Sequence, residues 1–123
     1  MKVPNLFSKE ELMKASRREE IIRLVVNQIV KDFGSFNIDL NISSQSGDLY
    51  SSLQNKLEIE VARIIEEDNT VFKGLLYRID ISEKEIAQYH REMPQNTFHT
   101  IISQLILHRE LKKVLYREYY KNK

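Results

Sequence analysis

Apolar residues recur every three to four positions through most of this chain, the period of an amphipathic helix. The first stripe runs through Ile22, Val25, Val26, Ile29, Val30 and Phe33. It predicts a helix over 8–33, opened by a Ser8/Glu11 capping box. Gly34 is its expected C′ stop, because glycine tolerates a left-handed backbone. A second stripe, Leu49, Leu53, Leu57, Val61, Ile64 and Ile65, predicts a helix over 48–68 with Asp48 as N-cap. Leu57–Val61 can also be read as a strand, but the longer helical stripe outweighs it. Asp68-Asn69 marks a break, and Phe72, Leu75, Leu76 and Ile79 then define a short helix from Val71 to Ile79. Ser82 with Glu85 makes another capping box and opens a fourth helix to about Glu92, which Pro94 ends. Asn96 is the expected cap of the last helix, 97–120. Phe98, Ile101, Ile102, Leu105, Ile106, Leu111 and Leu115 supply its apolar face.

One stretch changes period. Phe36, Ile38, Leu40 and Ile42 alternate with Asn37, Asp39 and Asn41, the signature of a strand. A lone strand leaves its backbone donors and acceptors without partners. It needs Tyr77–Ile81, which also alternates, or the same strand of a second copy. Otherwise it is an arm laid across helices. The expected fold is all-α, a small bundle of four to five helices with an extended arm at about 36–42. The alternative is a small α+β domain that pairs 36–42 with 75–81.

At 123 residues the chain fits a single helical domain, 1–123, with 1–7 and 119–123 as mobile ends. Three glycines and two prolines are too few for a turn-rich β fold. The absence of cysteine excludes disulfides, thiolate zinc sites and cysteine nucleophiles. Nineteen basic against eighteen acidic residues give a formal charge of +1, so no global field recruits nucleic acid or anionic lipid. Met1-Lys2-Val3-Pro4 lacks the apolar core of a signal peptide, and no apolar run approaches a bilayer span. These features point to a soluble, cytoplasmic protein with no membrane partner.

Site chemistry is sparse. No Glu-x-x-His tetrapeptide is present, and His99 and His108 lie half a turn out of phase on a helix. None of Ser43, Ser44, Ser46, Ser51 and Ser52 sits in a Gly-x-Ser-x-Gly elbow. Gly34, Gly47 and Gly74 are isolated, so no phosphate-cradling loop exists. Glu66-Glu67-Asp68 reads as a solvated helix end. No catalytic, cofactor-binding or metal-binding residue is assigned, and no cofactor is expected. Two polar features stand out. Arg78 and Asp80 are embedded among apolar neighbours, as an ion pair or as the wall of a ligand cleft. Arg109, Lys112, Lys113, Arg117 and Lys121 form a basic patch, interleaved with Tyr116, Tyr119 and Tyr120. That mixture suits nucleic-acid stacking and phosphate contact, and equally a subunit interface. Basic residues there also complement the helix dipole.

The leading expectation is a non-catalytic, self-associating interaction or scaffold protein. Its partner is a second copy, as a homodimer, or another protein. Phe7, Leu12 and Met13 and the 36–42 arm are its spare apolar surface. The alternative is a nucleic-acid-binding accessory protein. It would use the C-terminal helix or a weak helix-turn-helix at 71–92. Against the latter, Leu76 stands where a small residue is usual, and Glu83, Glu85 and Glu92 outnumber Lys84 and Arg91. An enzyme acting through Arg78 and Asp80 ranks third.

Overall fold

Residues 101–111 are buried at every position except Gln104 and His108, which are half-buried. A helix enclosed on all sides is the centre of a bundle rather than a member of its wall. The computed structural model describes Lys14 and residues 18–42 and 49–121. They form α1 (Glu19–Gly34), α2 (Leu49–Glu67), α3 (Asn69–Ile79), α4 (Glu83–Glu92) and α5 (Phe98–Lys121). The last of these, α5, packs against all four others. No strand occurs among the described residues, and the fold is a small all-α bundle. No helix among them is long and apolar enough to cross a membrane. Ser8, Glu11, Asp48, Phe7, Leu12 and Met13 lie outside the described residues.

The stripes meet where their spacing places them. Val25, Ile29 and Phe33 of α1, with Ile21 rather than Ile22, share one core with Leu53, Leu57, Val61 and Ile64 of α2, and Ile22 is buried outside that core. Leu75 and Ile79 of α3 join Ile101, Ile102, Leu105 and Ile106 of α5. Phe98 departs from its stripe. It is 45% exposed and meets Phe72 edge-on, with ring centroids 6.1 Å apart. Ser103 is fully buried and donates its hydroxyl to the His99 carbonyl at 2.7 Å, so no polar atom of its side chain is stranded.

Helix ends show where local chemistry acts. The Ser82/Glu85 capping box forms as expected. The Glu85 N–H donates to Ser82 Oγ at 3.1 Å, and the Ser82 N–H donates to Glu85 Oε1 at 3.2 Å. Asp68 caps α3 by accepting from the Val71 N–H at 3.1 Å, so the helix starts at Asn69 rather than Val71. Thr97, rather than Asn96, caps α5: its Oγ1 accepts from the Thr100 N–H at 3.4 Å.

Gly34 is not the left-handed stop of α1. That conformation falls to Asn37, at φ 62°. The Ile38 N–H reaches the Phe33 carbonyl at 3.1 Å and the Asn37 N–H reaches that of Gly34 at 3.0 Å, the two bonds of a Schellman ending. The same ending recurs on α3 with Asp80 at φ 66°. There the Ile81 N–H bonds the Leu76 carbonyl at 2.9 Å and the Asp80 N–H that of Tyr77 at 3.1 Å. Asn and Asp are the residues other than glycine that adopt this conformation most readily.

The alternation over 36–42 is real, but no strand accompanies it. Leu40 is buried, Phe36, Ile38 and Ile42 pack half-buried against the core, and Asn37, Asp39 and Asn41 face out. Residues 75–79 belong to α3, so the α+β alternative has no partner strand. The arm finds its cover within the chain, and one argument for self-association thereby loses its basis. Its seat depends on Gly74. A Cβ there would stand 2.6 Å from Cε1 of the Phe36 ring, inside van der Waals contact. Gly74→Ala should therefore forfeit the helix-propensity gain of about 1 kcal/mol that alanine normally brings. In a Phe36→Ala background the same substitution should recover that gain. Urea unfolding of the four proteins measures the coupling, and equal effects in both backgrounds would refute the contact.

Candidate functional site

Enclosing α5 carries charged residues inside with the apolar ones. Arg109 is 8% exposed and Glu110 is fully buried. On α1, Asp32 is also buried, because it lies three residues beyond Ile29 and seven beyond Val25 on the apolar stripe. A buried charge has to be paired or neutralised. Arg109 donates from Nη2 to Asp80 Oδ2 at 2.5 Å. Asp32 Oδ1 accepts from Arg78 Nε at 2.9 Å and from Gln28 Nε2 at 3.1 Å. Arg78 and Asp80 therefore do not pair with each other. Each binds a different helix, and together they fasten the end of α3 to α1 and α5.

Two residues keep unpartnered polar atoms: Arg109, whose Nε is buried with no hydrogen-bond partner among the described residues, and Glu110. Neither of its oxygens has a hydrogen-bond partner among the described residues. Lys113 Nζ stands 3.5 Å from Oε1 as its counter-charge. Burial and then the neighbouring Asp32 carboxylate push the Glu110 carboxyl up from the usual 4.5 to about 7, against the opposing pull of Lys113. Protonated, Glu110 faces Asp32 without like-charge repulsion.

Beside this cluster a cleft of about 370 Å³ opens between the α3–α4 turn and α5. Arg78, Asp80 and Lys113 line it with apolar Leu76 and Ile81 and with Tyr77, which is 90% exposed. The two residues singled out in the sequence do share a cleft wall. Asp32, Glu110 and Gln28 escaped notice, and only their place on buried stripes could have revealed them. Glu110 follows Ile106 and precedes Val114 by four residues each.

The basic patch is divided. Arg109 faces inward on Asp80, Lys113 turns to Glu110 and the cleft, and Lys112 is half-buried. Arg117 and Lys121 are exposed near Tyr116, Tyr119 and Tyr120. The helices α3 and α4 follow one another across the Asp80–Ser82 turn, but each packs on α5 rather than on the other, and α4 meets the core through half-buried Ile86 and Tyr89. Among the described residues, no group of three His, Asp or Glu side chains is arranged to hold a metal ion. This chain matches no family model, no curated protein and no solved structure.

The raised Glu110 value makes stability depend on pH. The unfolded chain releases this proton near 4.5 and the folded one near 7. The contribution is complete at low pH and is lost as pH climbs from the first value through the second, by up to about 3 kcal/mol. Glu110→Gln should flatten that part of the profile, raising the melting temperature at about pH 8 while changing it little near pH 5. Parallel profiles for the two proteins would show that Glu110 does not hold the proton.

Proposed function

We propose that this is a non-catalytic helical interaction protein that self-associates through the end of α5. The observation that carries the reading is the aromatic cluster there. Tyr116 and Tyr120 have ring centroids 4.6 Å apart, and Tyr119 and Tyr120 meet edge-on at 5.1 Å. Tyr119 and Tyr120 are 47% and 50% exposed. Rings already packed together lose little freedom on docking, and tyrosine with arginine is the composition of interface centres. Exposed Arg117 and Lys121 make this end basic.

A second copy offers the complementary surface. On α2, Ile59 is 64% exposed and shares its face with Glu66, two turns on. Asp68 is exposed beside it, and Glu60 and Glu67 flank Arg63, which pairs with both at 2.9 and 3.0 Å, so acids outnumber the one cation there. Given reciprocally, a basic aromatic end against an acidic face closes a two-fold dimer. The nucleic-acid alternative has fewer cations on the aromatic end to draw on than the patch contains, because Arg109 is engaged inside the bundle and Lys113 is turned to Glu110 and the cleft.

Light scattering should find a dimer at tens of micromolar. Tyr119→Ala with Tyr120→Ala should give a folded monomer, and high salt should weaken the dimer by screening its charges. A wild type that stays monomeric defeats the reading. Should that monomer also be retained on heparin through Lys112 and Arg117, the nucleic-acid alternative takes its place.

A further inference from the structure

The cleft between the α3–α4 turn and α5 holds chemistry that self-association leaves unused. Arg78 is fixed to Asp32 through Nε, and its side chain is 39% exposed on the cleft wall. Lys113 reaches the same cavity from α5 with its side chain 25% exposed. Arg78, Asp80 and Lys113 line it, and their ion-pair partners Asp32, Arg109 and Glu110 stand behind them. Asp32 answers Arg78, and Asp80 answers Arg109. Lys113 has only the buried Glu110, whose oxygens accept no hydrogen bond from the described residues. When Glu110 is protonated, the cluster carries one positive charge in excess, and that charge lines the cleft.

We propose that this cleft binds a small organic anion, with its charged group between Arg78 and Lys113 and its apolar body against Leu76, Tyr77 and Ile81. A cavity of about 370 Å³ is of the size that takes a small ligand. Tyr77, 90% exposed at its edge, supplies a ring face for a planar body. Glu110 sets the occupancy. It is faced by Asp32 from α1 and by Lys113 from its own helix, and Arg78 of α3 acts on it through Asp32. A bound anion neutralises Lys113 in place of the Glu110 carboxylate, so anion and proton are taken up together. By linkage, each strengthens the other.

Benzenesulfonate is a suitable probe, since its charge is constant across the working range. Titrated into 15N-labelled protein, it should give saturable amide shifts confined to residues 76–82 and the neighbourhood of Lys113. Affinity should fall about fivefold between about pH 6 and about pH 8. In Glu110→Gln, binding should persist with that pH dependence gone. Adding Lys113→Met to Glu110→Gln leaves no unpaired carboxylate in the core and should abolish binding. Shifts that fail to saturate, or that survive in the double variant, overturn the site. A pH dependence that persists in Glu110→Gln overturns the role of that residue. Sodium sulfate binding as tightly as benzenesulfonate overturns the apolar half of the pocket.

Discussion

Running one helix through the middle of a bundle forces the side chains of its enclosed stretch, charged or not, to find their partners indoors. Withdrawing an ion from water costs several kcal/mol unless a counter-charge or a proton compensates. In α5 that demand falls on Arg109 and Glu110, and neighbouring elements meet it. Asp80, at the end of α3, holds Arg109. Glu110, its carboxyl pushed up by burial and by Asp32 of α1, stands beside Lys113. Such pairs add little net stability over an apolar core, but they penalise any packing that leaves one member alone. The end of α3 is thereby held in register against both α1 and α5.

Asp80 joins this electrostatic demand to backbone geometry. Its left-handed conformation ends α3, returns Ile81 to the core, and leaves its side chain within reach of Arg109. Asn37 ends α1 by the same backbone device, and Ile38 follows it to the core. From there the arm can lie over the bundle without strand partners. Its side chains alternate between core and solvent, and its exposed polar positions leave the backbone near water. Leu40 alone, fully buried, contributes on the order of 2 kcal/mol. The absence of a side chain at Gly74 is what lets the Phe36 ring close this seat.

The same burial shapes what remains on the surface. It withdraws Arg109 from the basic patch and turns Lys113 toward a cleft, leaving an aromatic end with Arg117 and Lys121. Cleft and aromatic end are thus two consequences of a single helix being both central and longer than its neighbours. One surface suits a partner and the other a small anion, and the buried acid pair lies behind the second.

The amino-acid sequence already specified a bundle of four to five helices, the Ser82/Glu85 cap, the break at Asp68 and the alternation of the arm. Each is written within a few residues, where side-chain spacing and backbone hydrogen bonding act directly. The signals failed where two local solutions compete. Gly34 and Asn37 can both end α1, and Asn96 and Thr97 can both cap α5, so neighbouring packing made the choice. Tertiary structure alone decided with whom the inward polar residues pair. Asp32 meets Arg78 across 46 positions and Asp80 meets Arg109 across 29. A periodic pattern records that a position faces inward but not what stands opposite, and the charge state of Glu110 depends on what stands opposite.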